Sequence, residues 1–169
     1  MKQVFFLFLF LSFGVLGFSQ RYAVIDTKYI LDKLPEYKDA QKRLDDVAAD
    51  WQKEVDSLQQ NLDRMYKNYE AEQVMLSDEL KKKREDQLFV LEKNLRDLQR
   101  KRFGFEGDLF KKRGELIKPV QDKVYNAVQK LAAARGYDFI LDKSEGITVI
   151  FADPKLEKSD DVLRELGVK

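Results

Sequence analysis

The chain lacks cysteine and histidine, and it contains only three prolines and one tryptophan among its 169 residues. Without cysteine it forms neither disulfides nor thiolate metal sites. Without histidine it lacks the most common metal ligand and the usual general base near neutral pH. We therefore expect no catalytic residue, no metal site and no cofactor, and we do not expect an enzyme.

The chain also lacks an excess of either charge. Its 31 lysines and arginines oppose 30 aspartates and glutamates, which leaves a formal net charge of +1. Because phosphate contacts require a basic excess, no nucleic-acid partner is expected. Charged residues make up 36% of the chain. This share leaves too little apolar material for a conventional globular core and favours an elongated helical protein.

The one long hydrophobic run lies at the N-terminus, MKQVFFLFLFLSFGVLGFSQ. Lys2 precedes an apolar run that ends at Phe18, and this run is shorter than the roughly 20 residues that span a bilayer. Gly17 and Ser19 form a small-x-small pair. The layout predicts a signal peptide at residues 1–19, cleaved after Ser19 on export. A retained membrane anchor is the alternative.

Two apolar seams with helical spacing occupy most of the remaining sequence. Their residues recur in steps of mostly three and four, as in a coiled coil. The first seam consists of Leu44, Val47, Trp51, Val55, Leu58, Leu62, Met65 and Tyr69. The second seam consists of Leu88, Leu91, Leu95, Leu98, Phe105, Leu109, Leu116, Val120, Val124 and Leu131.

The segment VMLSDEL separates the two seams and predicts a turn between two long helices. Ser77 is suited to cap the second helix, which we expect to continue as far as Arg135. The helices then form an antiparallel hairpin over residues 36–118, with its tip near 75–78. Pro35 and Pro119 meet at its base.

A small β body is predicted at the two ends of the mature chain, in residues 20–35 and 119–169. Its strands are Tyr22–Asp26, Tyr137–Asp142 and Ile147–Phe151, and the last two form a β-hairpin through KSEG, followed by a C-terminal helix. Unpaired strand edges favour association with other copies of the chain. The residues expected to carry this trimerisation are Val24, Ile25, Phe139, Ile140, Leu141, Val149 and Ile150. The fold class is α+β and mostly helical, with a coiled-coil hairpin projecting from this body.

In this order the segments resemble the Skp/OmpH family of periplasmic chaperones. The resemblance rests on YAVIDTKYIL, the charged hairpin, LIKPVQDKVYNAVQKLAAARGYDFILDKS and DDVLREL. It implies a periplasmic homotrimer whose hairpins, or tentacles, surround a cavity. It also implies an ATP-independent holdase that sequesters unfolded outer-membrane β-barrel proteins there. A structural coiled-coil protein of the cell envelope is the alternative.

Two groups of hairpin residues are candidate sites under this resemblance. The candidate client-binding residues are Tyr66, Tyr69, Met75, Phe89, Phe103, Phe105 and Phe110. The basic tip consists of Lys81, Lys82, Lys83 and Arg84. Either this basic run is a solvated helix face, or it contacts a membrane, lipopolysaccharide or acidic client segments.

Three glycines interrupt the second seam at Gly104, Gly107 and Gly114. They invite two compatible interpretations. In the first, the glycines leave room for Trp51 on the opposite helix, while Ala48 and Ala49 receive Phe105. In the second, they act with Pro119 as hinges that let the hairpin bend.

Overall fold

The computed structural model describes residues 20–144, 146 and 149–168, so the predicted signal peptide lies outside the described residues. The elements are β1 (Tyr22–Ile25), α1 (Thr27–Lys33), α2 (Pro35–Glu72), α3 (Asp78–Phe103), α4 (Asp108–Leu116), α5 (Lys118–Arg135), β2 (Phe139–Asp142), a 3-10 turn (Pro154–Leu156) and α6 (Ser159–Glu165). The predicted fold class, α+β and mostly helical, is confirmed. Contacts divide the chain into a hairpin unit, residues 31–123, and a body unit formed by the residues on either side. No helix within the described residues is long and apolar enough to cross a membrane.

In the hairpin unit, α2 packs against α3. Residues 73–77 make the turn between them. The Ser77 hydroxyl accepts a hydrogen bond from the backbone N–H of Leu80 at 3.4 Å, so Ser77 caps α3 as predicted. At the other end, the Lys123 ammonium lies 2.7 Å from the Glu36 carboxylate. The start of α2 therefore lies beside the start of α5.

The expectation of one continuous helix from the tip to Arg135 is wrong, because the helix breaks between Phe103 and Asp108. A Cβ at Gly104 would lie 2.3 Å from the carbonyl oxygen of Arg100, and one at Gly107 would lie 2.8 Å from that of Lys101. Both distances are shorter than any tolerated contact, so the backbone path requires glycine at these positions.

The other two hinge candidates interrupt the hairpin less. Gly114 lies inside α4, and a Cβ there would meet nothing within 4 Å. Pro119 follows the start of α5 and lacks the N–H of a helical hydrogen bond. Ile117, between α4 and α5, nevertheless keeps helical angles of −91° and −42°. The helix is therefore interrupted at Gly104 and Gly107 and continues through Gly114.

In the body unit, β1 pairs in parallel with β2, with Tyr22 opposite Phe139. The rings of these two residues stack with their centroids 5.8 Å apart. Along the other edge of β1, the backbone N–H of Lys158 donates to the carbonyl of Val24 at 2.8 Å. Hydrogen bonds on both edges thus make β1 the central segment of the body.

The predicted β-hairpin between Tyr137–Asp142 and Ile147–Phe151 is not formed by the described residues. Residues 147 and 148 lie outside them, and 149–151 belong to no strand. Ile150 is 94% exposed and Val149 is half-buried. Within the described residues, β2 instead pairs with β1, a pairing between distant segments that local turn signals do not reveal.

Asp142 joins the end of β2 to the start of α1. Its carboxylate accepts hydrogen bonds from the Thr27 hydroxyl at 2.5 Å and the Thr27 N–H at 3.1 Å. It also accepts one from the backbone N–H of Ser144 at 3.0 Å. Partial burial raises the pKa of Asp142, but these hydrogen bonds outweigh burial and place the pKa below the ordinary value of 3.8.

Replacing Gly104 by Ala should destabilise the hairpin by about 1 to 3 kcal/mol, because the new Cβ crowds a backbone carbonyl. Replacing Gly114 by Ala should instead stabilise it by about 1 kcal/mol, because that site is open and helical. Thermal unfolding followed by circular dichroism distinguishes the two variants. Equal shifts of the melting temperature would show that the break does not depend on glycine.

Replacing Asp142 by Asn should flatten the acid dependence of stability. Because the folded pKa of Asp142 is depressed, its contribution is present above the ordinary carboxyl pKa and is lost as the pH falls through the folded value. Unfolding free energies at pH 7 and pH 3 should therefore differ less in the variant than in the wild type. Asp45→Asn, on the exposed surface of α2, is the control and should leave the difference unchanged.

Candidate functional site

The apolar core of the distal hairpin consists of residues from both predicted seams. Its buried members are Val55, Leu62, Leu88 and Leu95. Partly buried residues pack around them: Leu58, Met65, Tyr66, Tyr69, Leu91 and Leu98. The seam therefore packs α2 against α3. Its buried residues lie between the two helices and are not accessible to a ligand.

Tyr66 and Tyr69, two of the candidate client-binding residues, lie on the border of this core. The Tyr66 hydroxyl donates a hydrogen bond to Glu92, and the Tyr69 hydroxyl donates one to Glu85 at 2.5 Å. These hydrogen bonds are the main reason that the pKa of each tyrosine is raised. Both rings thus link α2 to α3.

The other candidate client-binding residues are exposed at three places on the hairpin. Met75 is 83% exposed in the tip turn, and Phe89 is 62% exposed on α3. Around the break, Phe105 is 97% exposed and Phe110 is 63% exposed, while Phe103 is 37% exposed. These side chains are available to another molecule without any change in the hairpin core.

The basic tip is embedded among carboxylates. Lys81 lies 3.8 Å from Asp78, and Arg84 lies 3.9 Å from Glu72. Lys82 and Lys83 border an open groove of about 530 Å³ along α3. Its other lining residues are Met65, Glu79, Asp86, Gln87, Val90, Leu91 and Asn94. The tip therefore presents mixed charge beside apolar surface instead of a purely basic patch.

Arg102 connects three helices at the break, a role that sequence reasoning missed. Its guanidinium lies 4.8 Å from the ring centroid of Trp51 on α2. It also donates to Glu54 on α2 at 2.9 and 3.1 Å and to Asp108 at the start of α4 at 2.7 Å. The pKa of Arg102 is lowered by desolvation, but its two carboxylate partners outweigh this and raise it overall.

This arrangement, which we term the Arg102 clamp, overturns the predicted packing around Trp51. Trp51 is covered by Arg102, and the atoms nearest to a Cβ at Gly104 belong to Arg100. Phe105 does not insert between Ala48 and Ala49, because it is almost fully exposed. Two glycines followed by Asp108, an acid suited to a first helical turn, were the sequence signal for this break.

Comparisons with known proteins identify a family and a similar fold. The pattern of the family described as "Outer membrane protein (OmpH-like)" matches residues 21–166. The chain belongs to the OmpH-like family. No curated protein matches its sequence.

A crystal structure from Caulobacter crescentus, of a protein described as an OmpH-like outer membrane chaperone, has a similar fold. The TM-score is 0.68 at 14% sequence identity, and the match covers 88% of this chain and 84% of that one. At this identity the likeness concerns the fold alone, and the Arg102 clamp is described from this chain.

Replacing Arg102 by Lys should lower the melting temperature, because Lys keeps the charge but cannot reproduce the planar contacts to two carboxylates and an indole. The fluorescence of Trp51, the only tryptophan, should shift to longer wavelength as its ring becomes hydrated. Arg96→Lys is the control, because among the residues that the structure describes Arg96 pairs only with Glu92 on its own helix, at 3.5 Å. Identical effects of the two replacements would show that the clamp contributes nothing specific.

Proposed function

We propose that this protein is a periplasmic, ATP-independent holdase chaperone that sequesters unfolded outer-membrane β-barrel proteins. Membership of the OmpH-like family supports the class of protein. The observation that carries the mechanism is the hairpin surface, where Met75, Phe89, Phe105 and Phe110 are exposed although the hairpin already has a closed core. Scattered apolar contacts suit weak binding of an unfolded chain at many points.

The proposed working form is a homotrimer in which three hairpins surround a cavity. The body offers surface for such an assembly, because Phe139 is 54% and Ile150 is 94% exposed. Within the described residues the sheet has only two strands, so β2 keeps an unpaired edge. Export through the predicted signal peptide would place the assembly in the periplasm.

Sequestration by this route requires no catalytic residue. Client strands would be kept apart by contacts with the hairpins and released when insertion into the membrane becomes more favourable. Peripheral contact of the basic tip with lipopolysaccharide or anionic lipid belongs to the same proposal. The alternative, a structural coiled coil of the envelope, is favoured less, because the break at Gly104 and Gly107 interrupts the seam that such a protein needs.

The proposal predicts that the mature protein suppresses aggregation of a denatured outer-membrane β-barrel on dilution from urea. Light scattering should fall to near the buffer baseline at about one trimer per client, with sedimentation equilibrium verifying the trimer. A variant that lacks residues 38–118, checked for folding by circular dichroism, should leave scattering high. Full suppression by that variant, or none by the wild type, contradicts the proposal.

A further inference from the structure

The Gly104–Gly107 turn contains backbone strain beside an exposed aromatic side chain. Glu106 has a φ of 55°, a left-handed conformation that is costly for a residue other than glycine. An uninterrupted helix would avoid this strain. The break places Phe105 on an ordered turn with 97% of its surface exposed. Backbone strain of this kind concentrates at functional sites.

The charges around the turn are unbalanced, although the whole chain is almost neutral. Within the described chain, four cations near the turn form no ion pair: Arg100, Lys101, Lys111 and Arg113. Arg102 is neutralised by Glu54 and Asp108, and Lys112 pairs with Glu115 at 2.8 Å. Between residues 97 and 116, two anions form no ion pair within the described chain, Asp97 and Glu106. The surface beside Phe105 and Phe110 therefore favours a negatively charged partner.

The geometry points to the turn as a docking surface for apolar polypeptide segments that also carry carboxylates. We define this surface by Phe103, Phe105, Phe110 and the four unpaired cations, and call it the aromatic turn. Its occupant is the unfolded client, so the inference rests on the proposed function and assigns the turn a preference among client segments. Phenyl rings supply apolar contact, and the neighbouring cations select acidic segments over neutral ones.

The Arg102 clamp has a positioning role in this surface. It joins the end of α3 to the start of α4, the two helix ends that flank the turn. It also ties both to α2 through Glu54 and Trp51. Because the partners of Arg102 are all internal, its own charge is satisfied. The cations that face a client are those on either side of it.

The test uses the full mature protein and fluorescence anisotropy with two synthetic peptides. Both peptides alternate apolar residues with polar ones, with Asp and Glu in one and Asn and Gln in the other. The wild type should bind the acidic peptide about tenfold more tightly at low salt, a preference that salt should reduce. The double variant Phe105→Ser, Phe110→Ser should lose about tenfold for the acidic peptide.

Two matched controls make the result specific to the turn. Tyr125→Ser on α5 removes a ring of almost the same exposure as Phe110, 62% against 63%, and should change affinity less than about twofold. Arg100→Gln with Lys101→Gln should abolish the preference for the acidic peptide. Lys82→Gln with Lys83→Gln, which removes equal charge near the tip, should keep it.

Equal losses from Tyr125→Ser and the double variant, or no preference for the acidic peptide, would overturn the assignment. A change of sedimentation in the double variant would assign the turn to contact between copies. Loss of binding to vesicles of anionic lipid, with peptide binding intact, would assign it to a membrane surface. Either result also overturns the inference.

Aggregation assays distinguish failure of the aromatic turn from failure of the proposed chaperone function. If the wild type and the double variant suppress aggregation equally, the role of the aromatic turn alone is contradicted. If the wild type does not suppress aggregation, the chaperone function itself is contradicted.

Discussion

The hairpin depends on the apolar seam between α2 and α3. Val55 and Leu62 on one helix and Leu88 and Leu95 on the other are each at least 94% buried, while most residues around them are charged or polar and exposed. Without this seam, α2 and α3 would associate only weakly, because surface ion pairs contribute little to stability. The seam therefore fixes the register of the hairpin, and the interhelical hydrogen bonds of Tyr66 and Tyr69 follow from it.

Where the apolar seam ends, the means of holding the helices together changes. Leu98 is the last α3 residue of the distal core, and α4 has no buried residue of its own. At the break between α3 and α4, Arg102 joins the helices instead of buried leucines. Its guanidinium lies over the ring of Trp51 and pairs with Glu54 on α2 and Asp108 on α4. Such a contact constrains direction more than a leucine seam does, since a guanidinium donates its hydrogen bonds only in its own plane. A break can thus be ordered without apolar burial.

The seams could be predicted from sequence because helical periodicity is a local property, and Ser77 marked the tip through a single capping bond. The break had a local signal in Gly104, Gly107 and Asp108, but the capture of Arg102 by residues almost fifty positions away could not be predicted. The body shows the same limit. Both strands were recognised by composition, but the parallel pairing of Tyr22 with Phe139 joins segments that are far apart in the sequence, which no local pattern specifies. Of the candidate site, the exposed rings near Gly104 were identified, whereas the half-buried state of Tyr66 and Tyr69 depended on the hairpin register.

Near-neutral overall charge and a locally basic turn are compatible because screening acts over a short range. At physiological ionic strength the field of an exposed charge decays over about 8 Å, so a partner at the turn responds to the few cations beside Phe105 and little to the rest of the chain. A balanced total limits repulsion between neighbouring hairpins, which a strongly basic chain would suffer wherever several hairpins surround one cavity. In the proposed trimer, this distribution of charge allows each hairpin to attract acidic segments at one position while the assembly remains close to neutral. Attraction of this kind is weak at any one site, as the proposed later release of a client requires.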